Sequence, residues 1–192
     1  MTQPRSDTRE RIQKVALKLF TEQGYDKTSL REIAEKLGVT KAALYYHFQS
    51  KEQIFESILV DTYASIKDLV DWAATLPPTL DSRLEILQRI SDLVETKWRP
   101  MIRLSQTNQA PMRKLGGNKG KSNLDQLSQI FSLTCDPAAG PTAVFKARLA
   151  ILGLFFAGIA PPTLTAGIDA NLAQVALEVA RELISGKRDG EG

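Results

Sequence analysis

The 192-residue chain is poor in the residue types that build the commonest chemical sites. It holds one cysteine, Cys135, and one histidine, His47. A lone cysteine cannot close an intramolecular disulfide, and one cysteine with one histidine cannot furnish a tetrahedral metal site. No G-x-S-x-G elbow or other nucleophile motif occurs, and nothing marks a catalytic carboxylate pair. No enzymatic activity, metal or cofactor is therefore expected. The longest apolar run, Leu149 to Ala160, has twelve residues with two glycines. It falls short of the roughly 20 residues of a spanning helix and reads as a buried one. The opening MTQPRSDTRERIQKVALKLF mixes both charge signs where a signal peptide carries an unbroken apolar stretch, so the expected location is cytoplasmic. No stretch of apolar/polar alternation bounded by hairpin turns is present, which excludes a β architecture and leaves an all-α protein.

What is present is globular: 43% apolar and 24% charged residues, in a length that supports one or two cores. The formal net charge is +3, and residues 1–55 carry all of that excess, with 10 basic against 7 acidic side chains. A basic head on a neutral body faces polyanions. Ile12, Val15, Ala16, Leu19 and Phe20 have helical spacing, with Asp7 as N-cap, Glu10 as its partner and Gly24 as a left-handed stop. Leu30, Ile33, Ala34 and Leu37 follow a Ser29-x-x-Glu32 capping box and end at Gly38, and Thr40 then caps a short helix to about Phe48. Ser50 with Gln53 opens a long helix, Lys51 to Ala74, that Pro77-Pro78 must end. Helical patterns follow at Leu84–Trp98, from Pro100, at Leu124–Phe131, Pro141–Ala160 and Leu172–Ile184, about nine helices in all. The domain reading is 1–50 for a head with its motif at 29–48, and 51–192 for a C-terminal helical body.

The two short helices joined by Gly38-Val39 have the lengths and glycine turn of a helix-turn-helix. At about 100° per residue, Lys41, Ala42, Tyr45 and Gln49 share one side of the second helix with Tyr46 beside them, while Ala43, Leu44 and Phe48 share the other. The second group packs inward. The first turns two phenols and an amine outward at the width of a major groove. No carboxylate lies between Lys36 and Lys51, and Lys51, at a helix start, has the chemistry to neutralise a phosphate held by free backbone N–H groups.

YDKTSLREIAEKLGVTKAALYYHFQSKEQIF resembles the DNA-binding domain of the TetR family of bacterial transcriptional regulators, most specifically through LGVTKAALYYHFQSKE. The resemblance covers about residues 8–60. It implies a homodimer that binds a palindromic double-stranded operator, usually as a repressor, and is released by a small-molecule effector. It also implies base-reading positions at Thr40, Lys41 and Ala42 with Arg31 as helper, and phosphate contacts from Ser29, Tyr45, His47 and Lys51. Ala42 offers only methyl contact, so direct readout falls to Lys41 and Arg31. By the angle count His47 lies nearer the packed side, and a structural role fits it as well as a phosphate contact.

For the body, Tyr63, Trp72, Trp98, Met101, Met112, Phe131, Phe155 and Phe156 are candidates for a ligand cavity, or plain core. The helix at 143–160 is apolar almost all round. Its small-residue stripe Ala143, Ala147, Ala150, Gly153 and Ala157, with Leu172, Ala176, Val179, Ala180 and Leu183, is the expected two-fold interface, the alternative being burial inside one large protomer. Gly116–Ser122 has three residues between glycines where a nucleotide-binding loop needs four, and reads as a connector. The basic stretch Lys97, Arg99, Arg103, Arg113, Lys114, Lys119 and Lys121 is a solvated face or an anion contact. The rival readings are an effector-independent DNA-binding protein and a small nucleotide-dependent enzyme.

Overall fold

The computed structural model describes residues 5–115, 128–136, 138–165, 167 and 171–186, all helix and connector, with no strand among them. The chain forms two compact units. The first comprises Met1–Tyr63 and Pro100–Lys119, the second Ala64–Arg99 and Gly120–Gly192. The head therefore extends past residue 50 and takes in a segment from the middle of the sequence.

In the first unit, α1 (Arg5–Glu22) begins two residues before Asp7, which lies inside the helix and not at its cap. Gly24 adopts φ 94°, the left-handed geometry that turns the chain toward α2 (Leu30–Leu37). Ser29 and Glu32 close the capping box reciprocally, and Gly38 at φ 73° accepts the left-handed C-cap. Thr40 Oγ1 accepts from Ala43 N–H at 3.1 Å and starts α3 (Lys41–His47). The long α4 (Lys51–Ala73) follows, with Gln53 N–H donating to Ser50 Oγ at 3.3 Å. The Gln53 side chain reaches Gln49 N–H instead of Ser50. The later helices α6 (Arg99–Thr107) and α7 (Gln109–Leu115) complete the unit. Its core gathers Ile12, Ala16, Phe20, Ile33, Leu44, Phe48, Phe55 and Leu104, each at most 1% exposed. Fully burying one such side chain contributes about 1.5–3 kcal/mol.

The second unit takes the rest of α4 and α5 (Leu80–Leu93), which is capped by Thr79 directly after the proline pair, four residues earlier than the periodicity indicates. A π-helical turn, Val94–Trp98, follows α5. Residues 128–133 are helical. The last helices, α8 (Pro141–Ile159) and α9 (Leu172–Ser185), pack on each other, and α9 packs on α5. With 19 residues and a mean hydropathy of 1.7, α8 exceeds the twelve-residue apolar run and is long and apolar enough to cross a membrane by length and composition. Ala147, Ala150, Ile151, Leu154 and Ala157 nonetheless bury themselves in their own unit. Near its end α8 comes so close to the π-turn that a Cβ at Gly158 would lie 2.4 Å from Val94 Cγ1. Arg99 Nη2 donates to Ala157 O at 3.0 Å and pairs with Glu95 at 2.9 Å, which supplies a charged partner to a carbonyl of the last turn of α8. The Gly116–Ser122 loop, with Lys119 and Lys121, lies outside the described residues.

Candidate nucleic-acid interface

Only Leu44 and Phe48 carry the inward side of α3, at 0% and 1% exposure. Ala43, on the same side by angle, is exposed, because seven residues make too short a helix for its whole inner half to reach the core. Lys41, Ala42, Tyr46 and Gln49 are exposed and Tyr45 and His47 half-exposed, with Tyr46 at 64%. Lys41 Nζ sits 5.5 Å from the centre of the Tyr45 ring, and Gln49 Nε2 donates to Tyr45 O at 2.8 Å. The Tyr46 and His47 rings meet edge to face at 5.3 Å. The outcome is a short platform bearing an ammonium, two phenols and an amide, with no carboxylate on it. That donor set suits base edges and phosphates alike.

The flanking residues are more engaged. Arg31 Nε lies 2.7 Å from Glu35 Oε1, and that carboxylate raises the arginine further above its ordinary value. Water screens an exposed pair of this kind and leaves it weak, so a base edge can compete for the guanidinium. The Ser29 hydroxyl is spent within the capping box, donating to Glu32 Oε2 at 2.9 Å and accepting from Glu32 N–H at 3.2 Å. The Ser29 backbone N–H first, then its hydroxyl and the Gln23 amide, all donating to the Glu32 carboxylate, lower that carboxyl. Thr40 Oγ1 is likewise occupied as an acceptor, leaving its proton to donate.

Lys51 departs furthest from the sequence reading. Its ammonium donates to Tyr25 O at 2.8 Å and Thr28 O at 3.2 Å, lies 3.5 Å from Asp26 O, and sits 4.2 Å above the Tyr25 ring. With three donors on a compact head, it grips a phosphate only by giving up carbonyls. Here it is a strap across the turn into α2. Tyr25, which the sequence reading did not single out, packs against Phe20 at 5.2 Å and Phe55 at 5.3 Å. Burial and the facing Glu52 carboxylate push its phenol above the ordinary range, and the phenol in turn holds Glu52 low.

Residues 12–58 match the family model of bacterial regulatory proteins, tetR family. The N-terminal domain belongs to the TetR family. Its relatives include the HTH-type transcriptional regulator AcrR of Shigella flexneri, 41% identical over 76 residues, which are 39% of this chain and 35% of that protein. The negative regulator IcaR of the icaADBC biofilm operon in Staphylococcus aureus is 54% identical over 41 residues, 21% of this chain and 22% of that protein. The matches thus span about a third and a fifth of the lengths of those relatives. The TetR-family regulator PfmR of Thermus thermophilus shares the fold, with a TM-score of 0.61 at 21% identity over 93% of this chain and 99% of that one.

Outside the matched segment, the candidate ligand residues scatter. Tyr63 and Met101 pack on the core of the first unit, and Trp72 lies under the Arg89 guanidinium, 3.4 Å from its ring centre. None of the three lines the small apolar pocket against α8, and neither does the half-buried Phe131. Trp98 and Phe155 do, edge to face at 5.7 Å, with Ile66, Leu69, Ile90, Leu93, Val94 and Ile130. The pocket is wholly apolar and about 10 Å³. The small-residue stripe also faces elsewhere than expected. Ala147, Ala150 and Ala157 are buried within the unit, Gly153, Leu172, Ala176 and Leu183 are half-buried, and Ala143 and Val179 are exposed. The outward stripe of α8 is instead Phe145, Leu149, Leu152, Phe156 and Ile159, each 41–61% exposed and repeating at spacings of three and four. Small residues let α8 approach its own neighbours, and the large ones are left over.

Proposed function

We propose that the chain is a TetR-type transcriptional regulator that binds a palindromic DNA operator as a homodimer, acts as a repressor, and lets go when a small molecule enters its C-terminal unit. The observation that carries this reading is the outward α3 platform of Lys41, Tyr45 and Tyr46, supported below by buried Leu44 and Phe48. An aromatic, basic surface on a helix too short to serve as a scaffold suits groove contact. Repression follows the negative regulation by IcaR. The homodimer is supported by the uncovered apolar stripe on α8 together with Val179 on α9, since a second copy of the same stripe would cover it about a two-fold axis. On this reading the chain is not an enzyme and works in the cytoplasm, where its operator lies.

Selection of bound duplexes from a random DNA pool tests the proposal. A recovered inverted repeat with half-sites about one helical turn apart, ~34–36 Å or another groove-compatible spacing, supports it. Recovery of no enriched sequence refutes it. That the pocket lined by Trp98 and Phe155 holds only about 10 Å³ is the observation behind a second reading, a constitutive DNA-binding protein with no effector. A thermal-shift screen in which no apolar compound raises the melting temperature would select that reading over the first.

A further inference from the structure

Asn108 stands at the break between α6 and α7, only 4% exposed, and its side chain reaches 83 and 88 residues back along the sequence. Oδ1 accepts from Tyr25 N–H at 2.6 Å, while Nδ2 donates to Phe20 O and Leu104 O, both at 2.9 Å. Phe20 lies in the last turn of α1, where carbonyls lack intrahelical donors, and Leu104 lies in the last turn of α6, where its carbonyl also accepts from Asn108 N–H at 3.0 Å. One amide therefore caps α1, adds a second bond to the end of α6 and also holds the first residue after the Gly24 turn. Lys51 holds the same residue from its other end, through Tyr25 O. The residue that leads toward α2 is thus gripped at its N–H from the α6–α7 junction and at its C=O by α4.

The geometry points to Asn108 as a positioning residue for the DNA-binding head. It fixes the turn that aims α2, and through α2 it aims α3, from a segment outside the helix-turn-helix. The inference rests on the proposed DNA-binding role of α3. A side chain that only filled the core would need no polar atoms. This one has both amide hydrogens and its oxygen committed, and leaving Tyr25 N–H or Phe20 O unpaired in a buried place is costly. Whatever shifts the α6–α7 junction must then break these bonds or drag the turn with it, so the affinity of the head for DNA becomes a function of the Pro100–Leu115 segment.

The full-length chain is compared with its N108A and N108S variants. A serine hydroxyl can bond back to Leu104 O within its own helix but cannot span to Tyr25, so N108S cuts the cross-links while sparing α6. Amide exchange is read at Tyr25, with Ala16 and Leu59 as mid-helix references in the same unit. Affinity is read by fluorescence anisotropy on the duplex recovered by selection. The expected result in N108S is exchange at Tyr25 faster by about tenfold, unchanged exchange at Ala16 and Leu59, and about tenfold weaker DNA binding, within the usual range of couplings between sites. N108A should do the same with a lower melting temperature. If N108A does not fold, N108S alone decides. Unchanged Tyr25 exchange, unchanged affinity, or equal acceleration at all three amides overturns the positioning role. A wild-type chain that binds no duplex overturns the DNA reading and the role with it, whereas wild-type binding matched by both variants overturns the role alone.

Discussion

Replacing Lys51 by methionine separates the two jobs open to its side chain. The substitution keeps the alkyl stem over Tyr25 and removes the ammonium that straps the turn. Two of its contacts, at 2.8 and 3.2 Å, are good hydrogen bonds, and the third, at 3.5 Å, is at the limit. Bonds from charged donors contribute about 1.5–3 kcal/mol each, and for a half-buried lysine the lower figure applies. Charge over the ring adds about 0.5–1 kcal/mol, and water recovers part of the whole. The expected loss is about 2–3 kcal/mol. For a chain of this length, at ~2–4 °C per kcal/mol, the melting temperature falls by roughly 5–10 °C. Circular dichroism melts measure that, and anisotropy titrations at several salt concentrations give the slope of log K against log salt. An ammonium committed to carbonyls contributes nothing to that slope, so K51M should keep it. A melting temperature that stays put while the slope falls by about 0.9, the share of one phosphate contact, would show that the lysine abandons the turn for DNA and would refute the argument.

Three further outcomes follow from the same geometry. K41A should leave the melting temperature unchanged, because Lys41 is exposed, and should narrow the ratio of operator to random-duplex affinity by about 1–3 kcal/mol; anisotropy on both duplexes checks it. L152E puts a charge in the middle of the α8 stripe and should convert a dimer to a monomer in sedimentation at micromolar concentration, with helicity unchanged. S29A removes the N-cap of α2 and should cost about 1 kcal/mol of stability. Because the Glu32 carboxyl is lowered in the folded head, the stability it contributes is present above its ordinary range and disappears as the pH falls through the lowered value. Melts between neutral pH and about pH 3 should therefore show less acid sensitivity in S29A than in the parent.

Local features were legible from the residues alone. The Ser29–Glu32 box, the Gly38 stop, the Thr40 cap and the inward pair Leu44 and Phe48 are set within a few residues of one another, where helix geometry leaves little choice. Long-range partners were not legible. Lys51 reads as a phosphate ligand from its place at a helix start, and only the fold reveals that the Tyr25–Thr28 carbonyls lie within its reach. Asn108 sits in no motif, since its partners are 83 and 88 residues distant. On α8 the sequence alone marks the alanines as an outer seam, because small residues permit close approach. They do permit it, but toward α9 and the rest of the same unit, and a helix apolar on all sides gives periodicity nothing with which to choose its buried face.

The crossing at Gly158 acts as a spacing gauge in the body. Val94 is β-branched and stiff, so its methyl cannot swing away from an added carbon 2.4 Å distant. G158A would therefore drive a permanent wedge between α8 and the wide turn that carries Trp98. On the proposed repressor function, a cell carrying that allele would derepress the target genes with no small molecule added, and unchanged expression would show that prying this seam open is not the signal.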